Sequence, residues 1–134
     1  MKLKIKNYEL RLKSEDENIV AKKSFNFAIR CVNVYKHLCY KSINKEFIIS
    51  KQLVRSGTSI GANIEEALGA QSTADFVAKM AIAYKEARES RYWIKLLFHT
   101  DYITETEYES LINDLNDLIN IIAKIQLTTK KNNS

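Results

Sequence analysis

Not one proline interrupts this 134-residue chain, and glycine occurs only three times. Proline removes a helical hydrogen bond and clashes with the preceding turn, so its absence permits long unbroken helices, whereas turn-rich β folds draw heavily on both residues. Apolar residues make up 46% and charged residues 28% of the chain, a balance that argues against disorder and collagen. The length suits one domain with one core. An all-α fold is expected.

Apolar periodicity divides the chain. Residues 1–18 read as an N-terminal arm, with Leu3 and Ile5 alternating against Lys2, Lys4 and Lys6 before the acidic Glu15–Glu17. From Ile19 to about Lys41 two stripes follow helical spacing: Phe25, Ile29, Val32 and Cys39, and Phe27, Cys31, Val34 and Leu38. That apolar sector is too broad for one neighbouring helix. After a polar link at Ser42–Lys45, a second helix opens at Phe47 and carries Leu53, Gly57, Ile60, Ile64 and Ala67. Gly57 and Gly61, one turn apart, each cost a helix about 1 kcal/mol relative to alanine, which close packing would offset.

Gly69 ends that helix, Ser72 or Thr73 caps the next, and the third runs from Ala74 to about His99 with Phe76, Met80, Ala83, Ala87, Ile94 and Leu97 on one face. Thr104-Glu-Thr-Glu107 reads as a capping box opening a fourth helix lined by Leu111, Leu115, Leu118, Ile122 and Ile125. The short links predict an antiparallel up-down-up-down four-helix bundle over residues 19–127, followed by a disordered tail over 128–134.

Two segments of this pattern carry specific wording: Gln52-Leu-Val-Arg-Ser-Gly-Thr-Ser-Ile-Gly-Ala-Asn-Ile-Glu-Glu-Ala67 and Lys85-Glu-Ala-Arg-Glu-Ser-Arg-Tyr-Trp-Ile94. Together they resemble the four-helix-bundle proteins encoded in intervening sequences of bacterial 23S ribosomal RNA genes. The resemblance covers about residues 20–127, with Gly57, Gly61, Asn63, Glu66, Glu86 and Trp93 as its structural signature. It implies a closed homo-oligomeric ring of five copies and no enzyme. Among relatives are accessory proteins of diversity-generating retroelements, which implies nucleic acid and a reverse transcriptase as partners.

The residues themselves offer little for catalysis. A two-metal carboxylate site in a bundle needs Glu-x-x-His on two helices; that motif is missing, and His37 and His99 stand alone. Ser56, Thr58, Ser59, Cys31 and Cys39 lack a base at a recognisable spacing. Gly57-x-x-x-Gly61 lacks the Gly-Lys-Ser/Thr of a phosphate loop. No cofactor or metal is expected. Cys31 and Cys39 are separated by about 12 Å of helical rise, too far to bridge, and read as buried reduced thiols of a cytoplasmic protein. No run of apolar residues is long enough to span a membrane.

Charge is uneven. Residues 1–55 hold 13 Lys and Arg against five Asp and Glu, a net +8, whereas the remainder is net −3. Lys22, Lys23, Arg30, Lys36, Lys41, Lys45, Lys51 and Arg55 fall on the first helix, its exit and the start of the second. Repeated around a ring they would attract the phosphates of RNA or DNA. Exposed lysines also need no explanation, and the alternative is a scaffold that recruits a protein without touching nucleic acid. Arg55, Ser59, Asn63 and Glu66, with Glu86, Arg88, Glu89 and Arg91, read either as solvated faces with local ion pairs or, in part, as a partly buried network between the second and third helices in which Asn63 and Glu86 need partners. Tyr35, Tyr40, Tyr84, Tyr92 and Trp93 read as core or subunit-contact aromatics before base-stacking ones. The second stripe of the first helix, Phe27, Cys31, Val34 and Leu38, is the expected subunit interface, with the opposing stripe as the alternative.

Overall fold

The computed structural model describes residues 15–132. Four α-helices follow one another: α1 (Glu15–Lys36), α2 (Ile48–Leu68), α3 (Thr73–His99) and α4 (Glu105–Asn132). A π-helical turn, His37–Lys41, extends α1. Cross-helix contacts give the directions. Arg30 meets Asp114 and Asp16 meets Lys124, so α1 and α4 run antiparallel. Ser56 meets Ser90 and Glu66 meets Lys79, which sets α2 against α3 in the same way. The fold is an all-α four-helix bundle, as the apolar pattern predicts.

The core collects the predicted stripes. Leu53, Ile60 and Ile64 from α2, Ala83, Ala87, Ile94 and Leu97 from α3, and Leu115, Leu118 and Ile122 from α4 are fully buried. Burial of each large aliphatic contributes about 1.5–3 kcal/mol. From α1 the core takes Val20, Phe27 and Cys31, and from the π turn Leu38. This corrects the expected subunit interface. Phe27, Cys31 and Leu38 face the inside of one chain, and Val34 packs half-buried beside them. Phe25 and Ile29 are the residues left outside, 67% and 45% exposed. At 100° per residue Ile29 lies about 200° around the helix from Cys31, so Phe25 and Ile29 cannot enter the core that Phe27 and Cys31 occupy, whereas Cys39 of the same stripe is buried in the π turn.

Gly57 explains how α1 approaches α2. A Cβ at Gly57 would overlap Cys31 Sγ and stand 3.1 Å from Cys31 Cβ, whereas one at Gly61 would come only to 3.4 Å from the Ser24 carbonyl oxygen. Gly57→Ala is therefore expected to destabilise by about 1–3 kcal/mol despite the better helix propensity of alanine, with Cys31→Ala in the same chain recovering most of the loss. Gly61→Ala should be neutral or stabilising by up to about 1 kcal/mol. Urea melts of the four proteins check both expectations.

Helix ends are closed in several ways. Ser72 Oγ accepts from Asp75 N at 3.1 Å. Thr104 and Glu107 form the predicted reciprocal box, Glu107 Oε1 accepting from Thr104 N at 2.8 Å and Thr104 Oγ1 from Glu107 N at 3.1 Å. After α3, Tyr102 N donates to Leu97 O and Asp101 N to Phe98 O, a Schellman closure with Asp101 at φ 67°. Two boundaries differ from expectation. Helix α1 already includes residues 15–18, while residues 1–14 of the expected arm lie outside the described residues. Helix α4 continues through the expected tail to Asn132, because polarity alone does not end a helix that meets neither proline nor glycine. Of that tail, residues 133 and 134 lie outside the described residues.

Candidate nucleic-acid interface

The end of the bundle where α1 passes into α2 is built around a buried carboxylate. Glu46, 7% exposed, accepts hydrogen bonds from the backbone N–H groups of Ile48 and Ile49 at 2.9 Å and Ser50 at 2.6 Å, the unsatisfied donors of the first turn of α2. Its own N–H donates to Leu38 O, and its carbonyl accepts from Ser50 Oγ and Cys39 Sγ. Burial pushes the Glu46 carboxyl upward, but the backbone donors of Ile49, Ser50 and Ile48 together with the Ser50 hydroxyl outweigh it and hold the pKa below the usual carboxylate range. Glutamate is not a preferred N-cap, so only its acidic charge just ahead of α2 could have flagged it in the sequence.

On this frame Lys36, Lys41, Lys45 and Lys51 are exposed, and none pairs with a carboxylate among the described residues. The other expected basic residues separate from them. Lys22 and Lys23 are exposed on α1, but 14 and 13 residues before Lys36, about 20 Å along the helix. Arg30 is committed to Asp114 at 2.6 Å and to the backbone carbonyl and hydroxyl of Ser110. Arg55 lies between Glu86 and Glu89 on α3. Four of the eight thus form one cluster of unpaired charge.

Arg55 instead organises the signature segments. Its guanidinium reaches Glu86 at 3.4 Å and also Glu89, its Nε donates to Gln52 Oε1 at 3.1 Å, and Trp93 Nε1 donates to the same Glu89 carboxylate at 2.9 Å. Glu66 pairs with Lys79 at 3.0 Å, which raises the lysine pKa through that hydrogen bond and charge. These half-exposed pairs contribute at most about 1 kcal/mol each, so they set alignment more than stability. Asn63 corrects the expected network: its amide bonds back to Ser59 O and Oγ on its own helix. Arg88 lies over the Tyr84 ring, and Arg91 reaches Asn116 on α4.

Hydroxyl and thiol groups do structural work. Ser56 and Ser90, both fully buried, share a 2.8 Å hydrogen bond where α2 crosses α3. Burial pushes the Cys31 thiol up to about 12, with only partial opposition from Arg30, so it is a poor nucleophile. Both cysteines are free and buried. Among the described residues no three His, Cys, Asp or Glu side chains converge in a metal-holding arrangement, and no helix is long and apolar enough to cross a membrane. The aromatics divide: Tyr84 and Trp93 pack against the core, whereas Tyr40 and Tyr92 are 70% and 59% exposed.

None of the curated proteins matches this chain. A solved structure from Bacteroides thetaiotaomicron, described as a protein with unknown function from the S23 ribosomal protein family, is 51% identical with a TM-score of 0.80, over 83% of this chain and 97% of that one. The profile of the 23S rRNA-intervening sequence proteins matches residues 16–124, which takes in the bundle core, the lysine cluster and the Arg55 network. The chain belongs to the 23S rRNA-intervening sequence protein family.

Proposed function

We propose that this protein is a non-enzymatic, homo-oligomeric accessory or scaffold protein of the cytoplasm, in a ring of five copies, that binds RNA or DNA through phosphate contacts. The observation that carries the nucleic-acid reading is the group of Lys36, Lys41, Lys45 and Lys51, exposed at the α1–α2 hairpin with no carboxylate to neutralise it among the described residues. Symmetry would multiply that field. Oligomerisation is supported by Phe25 and Ile29, which leave apolar surface outside the folded chain. It is also supported by charge polarity, since Asp101, Glu105 and Glu109 are exposed at the same end on the α3–α4 side. A basic edge and an acidic edge on one subunit suit a head-to-tail contact that closes into a ring.

The same exposed apolar residues favour a second reading, a scaffold that docks a protein such as a reverse transcriptase without touching nucleic acid. Anisotropy titrations across a salt series separate the two. Phosphate binding should weaken with a log-log slope near −0.9 per phosphate neutralised on duplex DNA. Reversing Lys36, Lys41, Lys45 and Lys51 to glutamate should cut affinity for all sequences alike and flatten the slope by about one unit per contact removed, with helix content unchanged. Absence of any complex with RNA, single-stranded DNA or duplex DNA at low salt would leave the protein-scaffold reading.

A further inference from the structure

The hairpin end carries more than charge. Tyr40, Ile43, Phe47 and Ile48 fall within nine residues of chain and are 70%, 98%, 54% and 77% exposed. Exposed apolar residues scattered singly are ordinary, but four on one tip are a concentration that the fold does not use. Nor is the tip loose. Glu46 is sealed beneath it by hydrogen bonds to the first turn of α2 and to Leu38, so its neighbours are held outward by a satisfied frame. Tyr35 meets Tyr40 tilted toward edge-on, at 6.4 Å and 63°, and not as a parallel stack that would occupy the ring faces.

We infer that this tip is a single-strand platform on which Tyr40 and Phe47 stack against unpaired bases while Lys41, Lys45 and Lys51 hold the adjoining phosphates. The inference rests on the nucleic-acid reading above and narrows its ligand. Aromatic rings interleaved with lysines bind a strand whose base faces are free; in a duplex those faces are covered by neighbouring pairs, and the rings have nothing to stack on. An anionic bilayer would also attract lysines around an apolar tip. It is flat, however, and would press on Asp101, Glu105 and Glu109 at the same end, whereas a strand is narrow enough to follow the basic side alone.

The test uses the full chain, titrated by anisotropy with a labelled twelve-nucleotide oligothymidylate, an abasic strand of equal length, and a duplex of equal length. The oligothymidylate should bind more tightly than either. Tyr40→Ala with Phe47→Ala should weaken oligothymidylate binding about a hundredfold, roughly tenfold for each ring, and leave the salt slope and duplex affinity unchanged. Tyr40→Leu with Phe47→Leu should show the same loss, since leucine keeps an apolar surface without a flat ring. Both pairs are solvent-exposed substitutions, and unchanged circular dichroism and melting temperature would exclude unfolding as the cause. If the leucine pair binds like the parent, or the abasic strand binds as tightly as the intact one, stacking is overturned while phosphate binding stands. If no strand binds but phosphatidylserine vesicles do, and the aromatic variants abolish that, both readings fall to a membrane-docking tip.

Discussion

Glu46→Ala is expected to lower the free energy of unfolding by about 2–4 kcal/mol at neutral pH, because it strips a charged acceptor from three backbone donors in a largely buried site. Against a total of about 5–15 kcal/mol for a domain of this kind, that is a large share. Glu46→Gln should fall between, since its amide oxygen accepts but carries no charge for the positive end of α2. The sign of the pH dependence follows from the lowered folded-state pKa. The unfolded chain takes up its proton first as pH falls, so the contribution is complete above the ordinary carboxylate range and is lost as pH drops through the depressed folded value. The difference between parent and Glu46→Ala in urea melts should therefore shrink from neutral pH toward strong acid. A difference under about 0.5 kcal/mol at neutral pH would show that the carboxylate does not close the helix.

Phe27→Glu and Phe25→Glu, two residues apart, should have opposite consequences. Phe27 is 2% exposed and packs in the core. Removing a buried phenylalanine costs about 3–5 kcal/mol, and burying a carboxylate in its place adds to that, so Phe27→Glu should unfold the chain or drive it to aggregate. Phe25 is 67% exposed, and its replacement should change the stability of the isolated bundle by no more than about 0.5 kcal/mol. If the outer stripe of α1 is the subunit contact, Phe25→Glu should instead yield a folded protein of lower mass. Circular dichroism with light scattering after size exclusion reads both outcomes. A parent that is monomeric at micromolar concentration would remove the ring, and a Phe25→Glu protein of unchanged mass would place the contact elsewhere.

That contrast shows where local pattern stops informing. On α1 both apolar stripes have helical spacing, and nothing within Phe25–Cys39 says which one turns inward. The answer depends on α2 and α4: Gly57 admits Cys31 to within a distance no side chain could share, and that contact turns Phe27 and Cys31 into the core and Phe25 and Ile29 out of it. The glycine was visible in the sequence as a helix penalty in need of an offset; its partner was not. The basic residues behaved alike. Charge can be counted from sequence, but Arg30 and Arg55 are neutralised by Asp114, Glu86 and Glu89 from helices folded back beside them. Among the described residues, Lys22 and Lys23 on α1 and the four lysines near the hairpin pair with no carboxylate.

What the sequence determined by itself was whatever rests on neighbours three or four residues apart. The four helices, their antiparallel order, a cap at Ser72 or Thr73 and the Thr104–Glu107 box all follow from spacing and from turn chemistry within one turn of chain, and the structure uses Ser72. Tertiary structure decided the rest: which stripe became core, which charges were cancelled, and how a π turn at His37–Lys41 brought Leu38 and Cys39 over Glu46 so that an ordinary-looking glutamate became the buried closure of α2. The physical reason is one of range. Helix propensity and capping are energies of the local backbone, whereas burial and ion pairing depend on residues brought together across the bundle, and a one-dimensional pattern does not contain those distances.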